Sequence, residues 1–282
     1  LAIEQATEIL KVVPGQPDAR RLLSAAYRAL GDQLTISGDS DGADRAYADY
    51  IRTSTSDPRL MQAARALCDN QIPIAERLLR AHLKALPTDV AAIRMLAEVA
   101  ARIGRHGDAE KLLSRALELA PSFEAARHNY AIVLFRQQKS ADALVQIDRL
   151  LECDPRNPSY RNLKAASLAR IGDYDAAIAL YAQMLKEFPR EHRMWLSYGH
   201  TLRTAGRQDE CILAYRKCIE LVPSFGEAYW SLANLKTFRF TPGDVAAMRK
   251  ALARGNLKDE DRYHLHFSLG KALEDAAGYA PS

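Results

Sequence analysis

HRMWLSYGHTLRTAGRQDECILAYRKCIELVP, residues 192–223, is the stretch whose reading decides the fold. Trp195, Tyr198, Gly199 and Leu202 recur at helical spacing and so share one face. Gly206 then supplies the backbone turn that ends a helix. A second amphipathic run follows, with Cys211, Tyr215 and Cys218 facing inward. Pro223 closes it, because proline has no amide hydrogen to give to a helix. The spacing predicts two helices, 192–205 and 208–221, folded back on each other.

Working outward, the same arrangement returns every 34 residues. Pro87, Pro121, Pro155, Pro189 and Pro223 form one column. Ala63, Ala97, Ala131, Ala165, Gly199 and Ala233 form another, and Ala75, Ala109, Ala143, Ala177 and Cys211 a third. A column of larger groups reads Leu79, Leu113, Ile147, Tyr181 and Tyr215. Small residues let the two helices of a hairpin approach, and the large ones fill the space toward the next hairpin. Helix pairs are therefore predicted at 57–69 and 72–85, 90–103 and 107–119, 124–137 and 140–153, and 158–171 and 174–187, besides the pair already read.

This pattern resembles the tetratricopeptide (TPR) repeat, W-x2-L-G-x2-Y followed by A-x3-F and P. Cys211 stands where that repeat has a small residue, and Tyr215 where it has phenylalanine. The resemblance implies an all-α, right-handed superhelical solenoid of about seven stacked hairpins, partial ones included. It would occupy residues 1–282 as one domain, with irregular units at 1–55, five regular repeats at 56–223 and irregular units at 224–282. It also implies a scaffold that binds a protein or peptide on a concave face lined by the first helix of each pair.

The ends depart from the period. Residues 1–13 predict a lone second helix, with Ile3, Ala6, Ile9 and Leu10 on one face and Pro14 ending it. Pro14 to Pro87 is 73 residues, two units plus five. The surplus is assigned to Leu30–Gly42, where TISGDSDG predicts a long turn or a helix extension. That patch has neither the preceding strand nor the G-x-x-x-x-G-K-[ST] frame of a phosphate loop. Near the other end, Thr241, Pro242 and Asp244 are the signature of a helix start, opening a helix at 242–253. A last helix, 260–276, carries Leu265, Leu269 and Leu273. Its apolar face is expected to lack a covering helix, which implies a continuation of the chain and end-to-end self-association.

Composition narrows the function classes. The chain is 48% hydrophobic and 26% charged, in the range of folded soluble proteins. A net charge of +4 without a clustered basic stripe argues against nucleic acid. No apolar run approaches the roughly 18 residues of a membrane span, and no charged-then-apolar leader is visible from Leu1. Cys68, Cys153, Cys211 and Cys218 form no C-x-x-C pair and are expected to be small, buried, reduced thiols of a cytoplasmic protein. His264 and His266 lie two apart and point away from each other on a helix, a poor metal pair. No catalytic residue, cofactor or metal site is expected, and the chain reads as a non-enzyme.

A narrower resemblance rests on GEAYWSLANLKTFRF (226–240) and DEDRYHLHFSLGKALEDAAGYA (259–280), with LPTDVAAIRMLAEVAARIGR (86–105) and PSFEAARHNYAIVLFRQQK (121–139). These are similar to the TPR region of bacterial TPR-containing sulfotransferases. The family's catalytic module binds a phosphosulfate donor through a strand, loop and helix, and nothing here matches that motif. The resemblance implies the non-catalytic, recruiting arm of such a protein.

The concave positions that follow are Arg94, Arg102, His128, Asn129, Arg136, Asn162, Arg170, His200 and Arg203, with Glu98 and Arg193 beside them. Arg102, Arg136 and Arg170 recur at the repeat spacing and are expected to form a ladder. Guanidinium forks bind carboxylates and phosphates bidentately, so the expected ligand is an acidic peptide. The end units are more acidic, with Asp57 at one end and Glu274 and Asp275 at the other. The carboxylate clamp of chaperone-binding TPR domains is not expected, because Glu98 falls where an asparagine is needed. A secondary candidate is the aromatic and basic cluster of Trp230, Asn234, Phe238, Arg239 and Phe240.

Overall fold

The computed structural model describes residues 2–13, 16–37, 40–54, 58–254 and 256–276. In chain order the helices are α1 (Ala2–Val12), α2 (Pro17–Ser37), α3 (Ser40–Ser54), α4 (Pro58–Cys68), α5 (Ile72–Ala85), α6 (Val90–Arg102), α7 (His106–Leu119) and α8 (Glu124–Arg136). They continue as α9 (Ser140–Cys153), α10 (Pro158–Ile171), α11 (Tyr174–Glu187), α12 (His192–Thr204), α13 (Gln208–Leu221), α14 (Gly226–Ala233), α15 (Pro242–Leu252) and α16 (Asp259–Ala276). No strand occurs among the described residues. The ten helices of the regular pairs begin and end within one residue of the bounds the spacing predicts. The fold is the expected all-α solenoid class, built of helical hairpins. Leu1–Pro155 and Arg156–Ser282 form two compact units.

One backbone requirement explains much of the period. The chain reverses between the helices of each regular pair through a residue of positive φ. These are Asn70 (55°), Gly104 (79°), Gln138 (65°), Gly172 (91°) and Gly206 (77°), again 34 apart. Glycine adopts that conformation without a steric penalty, whereas Gln138 holds it with a side chain attached.

The column of small and large groups sets the hairpin joints. A Cβ on Gly199 would stand 2.5 Å from the ring of buried Tyr215, so the helices meet closely only because position 199 is glycine. Gly31 meets Tyr47 in the same way, again 16 residues apart, which makes α2 and α3 a hairpin of the same kind. In the regular pairs of the first unit, Ala97 and Ala131 are matched by the smaller Leu113 and Ile147, and all four are buried.

The surplus residues near the N-terminus resolve as a helix extension. α2 runs for 21 residues where α6 and α8 run for 13. Gly38, within the predicted turn, lies outside the described residues, as do Pro14 and Asp57. Chain order did not announce that α3 packs on α6 and α7. Tyr47 and Tyr50 of α3 share a core cluster with Val90, Ile93 and Ala97 of α6.

At the other end the Thr241 capping box is present as predicted: its hydroxyl accepts from the Asp244 amide, and the Asp244 carboxylate accepts from the Thr241 amide. The expectation for the last helix needs correction. Leu265 is fully buried, packed with Tyr229, Met248 and Ala251, because α14 and α15 cover that face. The exposed apolar groups of α16 are Tyr263, Phe267 and Leu273.

Candidate functional site

The structure collects three of the predicted residues in one cleft of the first unit. Arg102 of α6 and Asn129 and Arg136 of α8 line a space of about 330 Å³, with Ile132 and Val133 as its apolar wall. Glu98 enters the same cleft and changes its charge. Its carboxylate lies 2.5 Å from Arg102 and 3.7 Å from Arg94. Arg102 also donates to the Leu67 carbonyl at 2.7 Å, tying α6 to the end of α4. Burial costs the Arg94 guanidinium some of its basicity, and Glu98 offsets part of that loss. Arg136 is exposed and makes no side-chain ion pair or hydrogen bond among the described residues, so it is the cation of the cleft that a ligand meets. His128, half-buried on the same helix, has its pKa lowered by burial.

The recurrence of the arginines has a local cause. Arg102, Arg136, Arg170 and Arg203 each occupy the last turn of a helix, α6, α8, α10 and α12. A cation there interacts favourably with the helix dipole whatever the chain binds. In the second unit Asn162, Arg170 and Arg203 are exposed. His200 is engaged: its Nδ1 is 2.9 Å from the Tyr215 hydroxyl and its Nε2 3.9 Å from Glu227.

The aromatic and basic cluster divides. Phe238 and Phe240 meet edge to face at 5.0 Å, and the Arg216 guanidinium lies 5.2 Å from the Phe238 ring centre. Both rings are partly buried against the core of the second unit. Asn234 donates to the Trp230 carbonyl, and Arg239 donates to the carbonyls of Lys236 and Phe238, 3.6 Å from Asp275. The two phenylalanines serve packing, while Asn234 and Arg239 are exposed. Trp230 differs from the two phenylalanines: it is 37% exposed, and its ring lies 5.4 Å from that of His264.

His264 also lines a cavity which the columns gave no sign of. About 580 Å³ opens between the start of α12, the start of α14 and the start of α16. It is lined by Arg193, Leu196, Phe225, Glu227, Lys258 and His264, among others. Its shape depends on Gly226. A Cβ there would run into the Asp261 backbone, 2.9 Å from its Cα. The Gly226 amide instead donates to Asp261 Oδ1 at 2.8 Å, locking α14 to α16. The His200 imidazole holds Glu227 below the usual carboxylate range, against burial, and His264 and Arg193 add to it.

The remaining chemistry is quiet. All four cysteines are free; Cys211 and Cys218 are buried as expected, and burial pushes the Cys218 thiol up to about 12, whereas Cys68 and Cys153, each the last residue of its helix, are exposed against that expectation. Among the described residues no cluster of His, Cys, Asp and Glu has the arrangement of a metal site, and no helix is long and apolar enough to cross a membrane.

Two profiles of the family described as Tetratricopeptide repeat match the chain, one at residues 104–166 and one at 60–124 and 162–224. Together they run from 60 to 224, more than half of the chain. The chain is similar to the Small glutamine-rich tetratricopeptide repeat-containing protein 2 of Mycosarcoma maydis, 35% identical over 68 residues, which are 24% of this chain and 19% of that protein. It is 34% identical over 75 residues to the Peroxisomal targeting signal receptor of Saccharomyces cerevisiae, 25% of this chain and 12% of the receptor. The matched stretch is thus under a fifth of either relative. Among solved structures, a tetratricopeptide repeat protein of Parabacteroides merdae aligns with a TM-score of 0.59 at 14% identity, covering 87% of this chain and 98% of that one. YrrB, described as a TPR protein with an unusual peptide-binding site, aligns at 0.53 and 18% identity, over 66% of this chain and 97% of that one. At those identities the structures speak for the fold.

Proposed function

Because the chain belongs to the tetratricopeptide-repeat proteins, we propose that it is a peptide-binding scaffold whose first unit anchors an acidic segment of its partner at Arg136 and Asn129. The observation that carries this reading is the cleft between α6 and α8. It joins an exposed guanidinium to an apolar wall. Arg102, expected to share the work, is tied to Glu98 and Leu67, so the anchor is one arginine and not a ladder. The 34% identity to a targeting signal receptor supports recognition of a peptide. The four free thiols support a cytoplasmic setting. End-to-end self-association loses its first support, since Leu265 is covered.

The finer reading, a recruiting arm of a sulfotransferase-like protein, rests on the sequence resemblance of residues 226–240 and 259–280 alone. On that reading the chain leaves the chemistry to another domain. It should then show no defined site for a phosphosulfate donor in calorimetry, and micromolar binding would refute a purely recruiting role.

The peptide reading is tested by fluorescence anisotropy with a labelled, end-blocked hexaglutamate and its glutamine counterpart. The glutamate peptide should bind, weaken as salt rises, and lose about tenfold in affinity, about 1.4 kcal/mol, with Arg136→Ala. Equal binding of the glutamine peptide would overturn it.

A further inference from the structure

Two apolar patches stay open, one in each unit. Leu265 is covered, yet α16 keeps another face bare: Tyr263, which is 71% exposed, with Phe267 and Leu273. Helical spacing puts these three on one side, with Gly270 between them. Nothing packs over Gly270, so the stripe has a notch at its middle. In the first unit, Ile9, Val12 and Val13 are exposed at the end of α1, three and four residues apart. Val12, at 81%, is the most exposed large apolar group among the described residues. The Gln16 amide donates to the Val13 carbonyl at 3.1 Å, and this tight reversal brings back the start of α2 with its exposed Leu22.

The flanks of the two patches differ in sign. The α16 stripe has the exposed carboxylates Asp259, Glu260 and Glu274 beside it, with Arg262 and Lys271 as the cations of the helix. Lys271 is drawn to Asp275 at 2.9 Å and to Glu274 at 3.9 Å. The α1 patch has Lys11, Arg20 and Arg21 beside it, all exposed. Lys11 pairs with Glu8 and Arg21 with Asp18, but these are solvent-exposed pairs within one helical turn, which hold their partners weakly. Two α16 stripes laid together would set carboxylate against carboxylate, and two α1 patches would set cation against cation, so neither suits a two-fold pair. Each patch complements the other. We propose that the chain associates head to tail with a second copy of itself. Val12 of one copy sits at the Gly270 notch of the next, between Phe267 and Leu273, and Lys11, Arg20 and Arg21 face Asp259, Glu260 and Glu274. Such a contact uses a different surface on each copy and leaves one patch of each kind open, so the assembly grows unless its rotation closes a ring. One helix face on another is small beside the roughly 1,200 Å² of a stable interface, so the association is weak and depends on concentration. Neither patch includes a residue of the Arg136 cleft, and the proposal does not depend on the acidic-peptide reading.

The test is sedimentation velocity of the whole chain from micromolar to millimolar protein, in low and in high salt. The average mass should climb past that of a dimer with concentration and fall back with salt. Val12→Asp and Phe267→Asp, both at exposed positions, should each leave a monomer with an unchanged melting temperature. Mixed in equal amounts, the two variants should form a dimer and stop there, because only one intact patch of each kind remains. Arg21→Glu, a change of charge alone, should weaken association about tenfold. A parent that stays monomeric at millimolar concentration overturns the proposal. So does a Val12→Asp variant that associates as the parent does, or a mixture that yields no dimer.

Discussion

Asp89 in the first unit and Asp244 in the second perform the same task with different partners. Each is buried, each satisfies amides at the start of a helix, and each stays ionised below the usual carboxylate range although burial acts to raise it. Asp89 caps α6 through the Ala92 amide at 2.9 Å, and its other oxygen lies 2.5 Å from His82 Nε2, with Tyr50 of α3 as a further partner. Asp244 sits in the Thr241 capping box and takes a fork from Arg216, one arm at 2.9 Å. The side chains of Asp89 and His82 are 1% and 3% exposed, while Arg216 remains 33% exposed. One lock is sealed inside regular repeats; the other touches solvent where the period breaks down. A sealed charge depends on every neighbour it has, and a solvent-touching pair can be partly replaced by water and salt.

The comparison breaks first at Asp89→Ala. It strips the cap and leaves His82 and Tyr50 without their acceptor, and about 4 kcal/mol should be lost in urea unfolding. A loss under about 1 kcal/mol would mean the lock is not sealed. Ala131→Leu should cost about 2 kcal/mol by overpacking a hairpin joint, and an unchanged melt would refute the assigned column. Asp244→Ala should cost about 1.5 kcal/mol, and this deficit should shrink in high salt while that of Asp89→Ala persists. Acid sharpens the same contrast. With folded pKa values below the unfolded value near 3.9, both carboxylates stabilise at neutral pH, and their contribution is lost as pH falls through the folded values. Stability measured from about pH 5 downward should therefore fall less steeply in Asp89→Asn and Asp244→Asn than in the parent.

Smaller effects compare the turns and the arginines. Gln138→Gly should add about 0.5–1 kcal/mol, relieving the positive φ that Gly172 adopts freely in the second unit. A destabilised variant would show that the Gln138 side chain earns its place. Arg102→Ala should cost about 1 kcal/mol for the Leu67 carbonyl bond. Arg136→Ala should change stability by less than about 0.5 kcal/mol. Equal melts for the two would erase the distinction between a tie and an anchor.

How far the sequence was legible follows from which forces are local. The hairpins were legible because their apolar groups recur at helical spacing and their joints pair a small with a large residue 16 positions on, as in Gly199 and Tyr215. The turn column was half legible: Gly206 announced itself, but Asn70 and Gln138 do not look like left-handed residues until their φ is known. The α15 cap was legible because Thr241 and Asp244 are three apart. The site was legible only as a set of positions. Glu98, seen beforehand as a flaw in a clamp, proved to be the partner of two arginines.

The sequence by itself determined the repeat, the helix ends and the small-to-large joints, because each is decided within one hairpin or between neighbours along the chain. Only the tertiary structure decided that α3 packs on α6 and α7, that Tyr50 reaches Asp89, and that the start of α16 lands on Gly226 to wall the second cavity. These contacts join segments with no common period. A repeat pattern records what is the same from unit to unit, and these places depend on shape and charge that occur once.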